Sequence, residues 1–122
     1  MRKITDRGLV KKLDDIMRVH VRQRDDNTCQ WCGKKGLVGF DSQISHIIPK
    51  GRSTYLRWDM NNLILLCAYC HNEKWHKLSL GRKWFDPKYP ERVQYLEARQ
   101  HTTIKKRPFM EQRRTELEEG KI

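Results

Sequence analysis

Cys29-Gln30-Trp31-Cys32 and Cys67-Ala68-Tyr69-Cys70 bracket 34 residues of chain. The rest of the chain is organised around these two pairs. A two-residue gap lets one tight turn present both sulfurs to a single ion. Two such turns supply four thiolates, a full tetrahedral set for one Zn2+. Four sulfurs leave no open position, so this zinc is expected to be structural. The rival readings are two disulfides or a redox dithiol. No apolar signal segment opens the chain, which gives an oxidising compartment no support. Two symmetric pairs argue against the dithiol.

A chain of 122 residues suits one small domain. Such a domain buries a modest core and often needs a staple. Apolar residues at 37% against 34% charged fit that picture. No run approaches the length of a membrane span, so no membrane partner is expected. The net charge is +11, divided as +3, +3 and +5 over residues 1–28, 29–76 and 77–122. No isolated basic tail accounts for it. The simplest partner is nucleic acid, contacted through phosphates.

Before the first pair, Leu9, Leu13, Ile16, Met17, His20 and Val21 recur at helical spacing and predict a helix over 9–24. Gly8 reads as a break before it, and Asp25-Asp26-Asn27 as its end. Arg18, Arg22 and Arg24 form part of its charged side, either merely solvated or touching DNA. Leu37 to Ile48 reads as a hairpin or bent extended segment whose second strand carries His46 and stops at Pro49. A loop follows to 61, then a short apolar strand, Leu63 to Leu66. A helix is expected from Ala68 to about Leu78, with Gly81 as a stop. Pro87 and Pro90 bound a turn, and Pro90 opens a helix over 91–100. Residues 109–119 read as a short polar helix with few anchors, an arm rather than core. The division is a basic N-terminal helix (1–28) docking on a zinc-bound core (29–78), then a helical extension or arm (79–122).

His46, Asn62 and His71 carry the chemistry. Phosphodiester hydrolysis needs a nucleophile, charge stabilisation and an oriented leaving group. A neutral imidazole takes a proton from water near pH 7, which suits His46. The Asn62 amide is wrong for proton transfer but suited to pinning a loop or orienting His46. His71 follows the last Cys and is placed to bind a divalent ion facing His46. His76 is a weaker second candidate, because five residues on an α-helix do not share a face.

Asp41, Ser45-His46-Ile47-Ile48-Pro49, Asn62-Leu63-Ile64-Leu65-Leu66-Cys67 and Cys70-His71-Asn72-Glu73-Lys74 resemble the HNH endonucleases. These are the four-Cys type of the ββα-metal, or His-Me finger, nucleases. The resemblance covers residues 18–78. It implies an α+β fold, a zinc-stapled ββα-metal core with flanking N- and C-terminal helices. It implies an enzyme, a metal-dependent DNA endonuclease giving 5′-phosphate and 3′-hydroxyl ends. His46 would be the general base, Asn62 the loop-orienting residue and His71 a ligand of a catalytic Mg2+ or Mn2+. Such enzymes commonly carry Asp, sometimes His, just before the base, whereas here Ser45 stands there. A hydroxyl is a poor Mg2+ ligand, so Ser45 and Asp41 are tentative ligands, with Asp59 another substitute. Lys50, Arg52, Arg57 and Lys74 are the expected DNA contacts.

Lys50-Gly51-Arg52, Leu56-Arg57-Trp58-Asp59 and His76-Lys77-Leu78-Ser79 also resemble the phage recombination nucleases called Rap or NinG. That likeness implies branched DNA such as Holliday junctions, and a phage or prophage product in the bacterial cytoplasm. A four-way junction has two-fold-related strands, so paired cuts need two active centres, which a homodimer would supply. Two readings compete. One is an HNH nickase on plain duplex, of the packaging or homing type. The other is a non-catalytic zinc-knuckle module that binds nucleic acid, which Ser45 favours.

Overall fold

The computed structural model describes residues 3–122. Its helices are α1 (Asp6–Arg24), a π-helix (Cys70–Lys77), α2 (Gly81–Lys88), α3 (Pro90–Arg99) and α4 (Lys106–Glu118). Two strands, β1 (Gln43–His46) and β2 (Leu63–Leu66), and 3-10 turns at Gly39–Asp41 and Met60–Asn62 complete it. The fold is α+β. A two-stranded antiparallel sheet leads into the π-helix, with further helices on both sides, in keeping with a ββα-metal core.

The first helix starts because the Thr5 side chain accepts the Gly8 N–H at 3.0 Å, satisfying one open donor. Asp6 in the first turn complements the helix dipole. Gly8 therefore lies inside the helix, which begins three residues earlier than the apolar pattern predicts. Leu9, Leu13, Met17 and Val21 are buried on its inner face. Each contributes about 1.5–3 kcal/mol by leaving water. Asp26 and Asn27 then take positive φ, 54° and 48°, and turn the chain towards Cys29.

The expected hairpin within 37–48 does not form. Residues 37–42 run as a loop and a 3-10 turn. β1 pairs instead with β2, Gln43 opposite Leu66 and His46 opposite Leu63. Every residue of β2 is buried; α1 packs against the strand, and its side chains join the single apolar cluster.

The C-terminal extension is not an arm. Met110 and Leu117 are buried, and α4 packs on α1. Arg107 ties it there by donating to the Ile4 carbonyl at 2.7 Å. Two apolar anchors seven residues apart suffice, because they fall on one face. One apolar cluster thus joins residues from all three stretches of the chain.

Gly81 also departs from expectation, since it opens α2 rather than stopping the chain. A Cβ on Gly81 would lie 2.3 Å from Cδ2 of Trp75. The glycine is needed for close approach, which lets the Trp75 ring lie against the helix start. Gly81→Ala is expected to cost about 1–3 kcal/mol by overpacking. Thermal melts would read it as a lowered Tm; an unchanged Tm would mean that Trp75 moves aside freely.

Candidate active site

The four cysteines converge. Their sulfurs all lie within 4.8 Å of one another, and Cys32 Sγ is 3.8 Å from Cys67 Sγ. Four sulfurs about 2.3 Å from one zinc stand roughly 3.8 Å apart, so the donor set fits Zn2+. In each knuckle the second Cys N–H points at the first Cys sulfur, at 3.5 Å for Cys32 and 3.4 Å for Cys70. Burial pushes the Cys67 and Cys70 thiols up. Burial also raises Cys29, but N–H donors led by Cys32 outweigh it and bring the thiol to about 7. Thiolates therefore form together only with a cation among them. The cluster is a structural zinc site.

A cleft of about 760 Å³ is lined among others by His46, His71 and His76. Six cations also line it, namely Arg18, Arg22, Lys50, Arg52, Arg57 and Arg82, against the single carboxylate of Asp14. Lys50 and Arg52 lie exposed beside Pro49. This excess of positive charge suits a polyanion.

His46 closes β1 at the mouth of the loop. Burial, then the nearby Lys50 ammonium, pushes its imidazole down to about 4. The ring is therefore neutral at pH 7, with a lone pair free to accept a proton. Asn62 is fully buried. Its Oδ1 accepts the Ile48 N–H at 2.7 Å, and its Nδ2 donates to the Ile48 and Leu56 carbonyls. The amide thus fastens both limbs of the loop after His46. It reaches His46 through the backbone, not through its ring.

His71 stands on the first turn of the π-helix. Burial, then His76, pushes it down to about 4. Its Nδ1 lies 2.7 Å from Gln43 Oε1, and its Nε2 lies 3.1 Å from His76 Nε2. At α-helical spacing five residues leave side chains about 140° apart, so the sequence ranks His76 second. The i→i+5 spacing of a π-helix, seen where Leu78 N–H bonds the Glu73 carbonyl at 2.8 Å, brings them to one side.

Several expected residues do not meet at this site. Ser45 turns into the core, 1% exposed, and its hydroxyl has no hydrogen-bond partner. The Asp41 carboxylate bonds Lys34 Nζ at 2.6 Å and the Ala68 N–H at 2.9 Å. Asp59 caps the turn at Asn61 and accepts the Tyr95 hydroxyl. None of the three lines the cleft. Lys74 lies over the Trp31 and Tyr69 rings, outside it.

Asp14 and Gln43 escaped the sequence reading. Asp14 accepts two bonds from Arg57 and one from Trp58 Nε1, fixing Arg57 near His46. Arg57 and Lys74, both expected at DNA, thus have engaged side chains. Arg22 donates to Ser42 Oγ at 2.9 Å and borders the cleft. Gln43 had no signal, because an isolated glutamine in a strand carries none.

A family model described as HNH endonuclease matches residues 29–77. Over 70 residues the chain is 34% identical to a "Probable HNH endonuclease" of Lactococcus phage SK1, covering 54% of this chain and 72% of that protein. No solved structure matches the chain. Among the described residues, no helix is long and apolar enough to cross a membrane. With the sulfur cluster and the sheet-to-helix order in place, the relationship is specific enough to name: the chain belongs to the HNH endonuclease family, hydrolases acting on phosphodiester bonds.

Proposed function

We propose that the chain is a divalent-ion-dependent DNA endonuclease whose general base is His46. The single observation that carries this is a neutral, largely buried imidazole set in a cleft with six cations. DNA is held by its phosphates, with Lys50 and Arg52 as the exposed contacts and Arg57 held near His46. His46 takes a proton from water as the oxygen attacks phosphorus in line. Asn62 keeps the His46 loop in register. His71 would hold the ion, Mg2+ or Mn2+ by family expectation, which would neutralise charge on the phosphate and the leaving 3′ oxygen. The products carry 5′-phosphate and 3′-hydroxyl ends.

Branched or distorted duplex is the preferred substrate in this reading, in phage-type recombination. Two things support it: the local likeness of Lys50-Gly51-Arg52 and Leu56-Arg57-Trp58-Asp59 to Rap and NinG, and the absence, among the described residues, of a separate base-reading module. Selection then falls to backbone shape. Nicking of plain duplex is the second reading, favoured by the packing of the extension. The segment that would build a homodimer for paired cuts instead covers its own core. Single-turnover cleavage of a four-way junction, a fork and linear duplex, at one fixed salt, separates them. Junction rates at least tenfold above linear duplex are expected. Equal rates and affinities would put plain nicking in front.

A further inference from the structure

Building on the nuclease reading, we propose that Val38 and Phe40, on either side of Gly39, form an apolar wedge. It enters DNA at an unstacked step while the adjoining cleft holds the phosphates, and so selects distorted duplex.

The loop from Leu37 to Ser42 is pinned on both limbs. Leu37 is buried, and its N–H donates to the Asn27 carbonyl at 2.8 Å. The Asp41 carboxylate accepts from Lys34 Nζ and from the Ala68 N–H. Ser42 Oγ accepts from Arg22 Nε at 2.9 Å, and the Phe40 carbonyl accepts from Gln43 Nε2 at 2.9 Å. Between these anchors Gly39 takes φ +56° and turns the chain. Two bare side chains stand on that turn, Val38 at 77% and Phe40 at 79% exposed. A lone exposed hydrophobe is ordinary. Here a braced tip holds two of them in water, and neither joins the apolar cluster.

Place and charge identify the occupant. A second recess of about 390 Å³ is lined by Arg22, Asn27, Leu37, Val38, Gly39 and Ser42. It shares Arg22 and Ser42 with the cleft. Gln43, which holds the Phe40 carbonyl, also lines the cleft. The tip therefore stands at the rim of a cleft with six cations, where DNA held by its phosphates brings its bases close. A second copy of the chain, itself carrying +11, is repelled from that rim, whereas a polyanion is drawn to it. An apolar side chain entering DNA must unstack a base step. That costs least where stacking is already broken, as at a branch or a mismatch. The tip thus favours distorted duplex without reading any base.

The test uses the full chain with its zinc and no added divalent ion, so that binding is read apart from cleavage. The probes are a four-way junction with 2-aminopurine at its centre and a linear duplex carrying the same base. Binding of the parent should raise the junction fluorescence roughly threefold or more, as the base leaves its stack. Junction affinity should exceed that for linear duplex by about fivefold or more. Phe40→Ala should lose most of the rise and most of the preference, while Phe40→Leu keeps both. Lys50→Ala should instead weaken binding to both DNAs alike. Phe40→Ala should keep its zinc and its Tm, since the side chain is exposed. An undiminished rise in Phe40→Ala, or no rise in the bound parent, overturns the proposal. So does a parent dimer that Phe40→Ala dissolves with the fluorescence unchanged, which makes the tip a contact between copies. Mg2+ or Mn2+ is then added. If the parent cuts, yet Phe40→Ala matches it in signal and preference, the wedge fails and the nuclease reading stands. If the Phe40-dependent rise occurs and neither ion brings cleavage by the parent, the wedge stands and the nuclease reading fails.

Discussion

His46→Ala is expected to lower cleavage by about 10²–10⁴-fold, the usual worth of a positioned general base, while DNA affinity stays within a few-fold. The ring is assigned a proton transfer and little of the phosphate grip, which falls to the exposed cations Lys50 and Arg52. A binding titration beside a nicking assay checks both halves. Equal nicking by mutant and parent would remove His46 from the chemistry. The pH dependence adds a second check. His46 sits among Lys50, Arg57 and Asp14, and is held at about 4. Its lone pair is therefore lost only as pH falls through about 4, so the rate limb due to His46 belongs there and not near 6.5. A limb centred near 6.5 that vanishes in the mutant would contradict the buried, neutral ring. Linkage gives the matching sign for stability. The folded pKa lies below the unfolded one, so the unfolded chain takes up the proton first. This contribution is complete above about 6.5 and is lost progressively down to about 4.

Zinc removal is the second large effect. Comparable sites in small domains bind zinc with roughly 10–16 kcal/mol, as much as a whole domain's stability of about 5–15 kcal/mol. Both knuckles are tied into the core, the first by the Gln30 N–H on the Leu65 carbonyl at 3.0 Å. A strong chelator is therefore expected to abolish the near-ultraviolet circular dichroism of the packed aromatics, among them the stacked Trp31 and Trp84 rings. Elemental analysis should give close to one tightly held zinc per chain, and Cys29→Ser should show the same loss. Folded, active protein with free thiols and no zinc would defeat this expectation.

Much of this architecture is written in short-range pattern. The knuckle spacing, the Leu63–Leu66 strand and the helix after Tyr89 follow from residue types that admit few alternatives. What stayed hidden depends on partners distant in the chain. Gly81 looks like a stop until Trp75 lies against it. Met110 and Leu117 look too sparse for a core helix until α1 offers a complementary face. His76 looks misplaced because its register comes from a π-helix, which hydrophobic spacing at 3.6 residues does not announce. The motif locates His46, Asn62 and His71. It does not reveal that Ser45 faces inward or that Gln43 stands against His71 Nδ1, since both follow from tertiary contacts.

The outward edge of β2 has a consequence for solubility. Leu63-Ile64-Leu65-Leu66 is an uncharged apolar strand of the kind that recruits further strands when its edge is open. Here that edge is closed by ions. The Asp25 carboxylate accepts the Leu65 N–H at 2.9 Å, the Gln30 N–H takes the Leu65 carbonyl, and Arg24 and Arg92 both donate to the Leu63 carbonyl. Strand addition would have to displace a carboxylate and two guanidiniums, so the folded chain resists edge-to-edge self-association. The Gln30 contact belongs to the first knuckle. Metal loss therefore bares a sticky template as well as loosening the core, and the demetallated chain should precipitate instead of remaining dispersed.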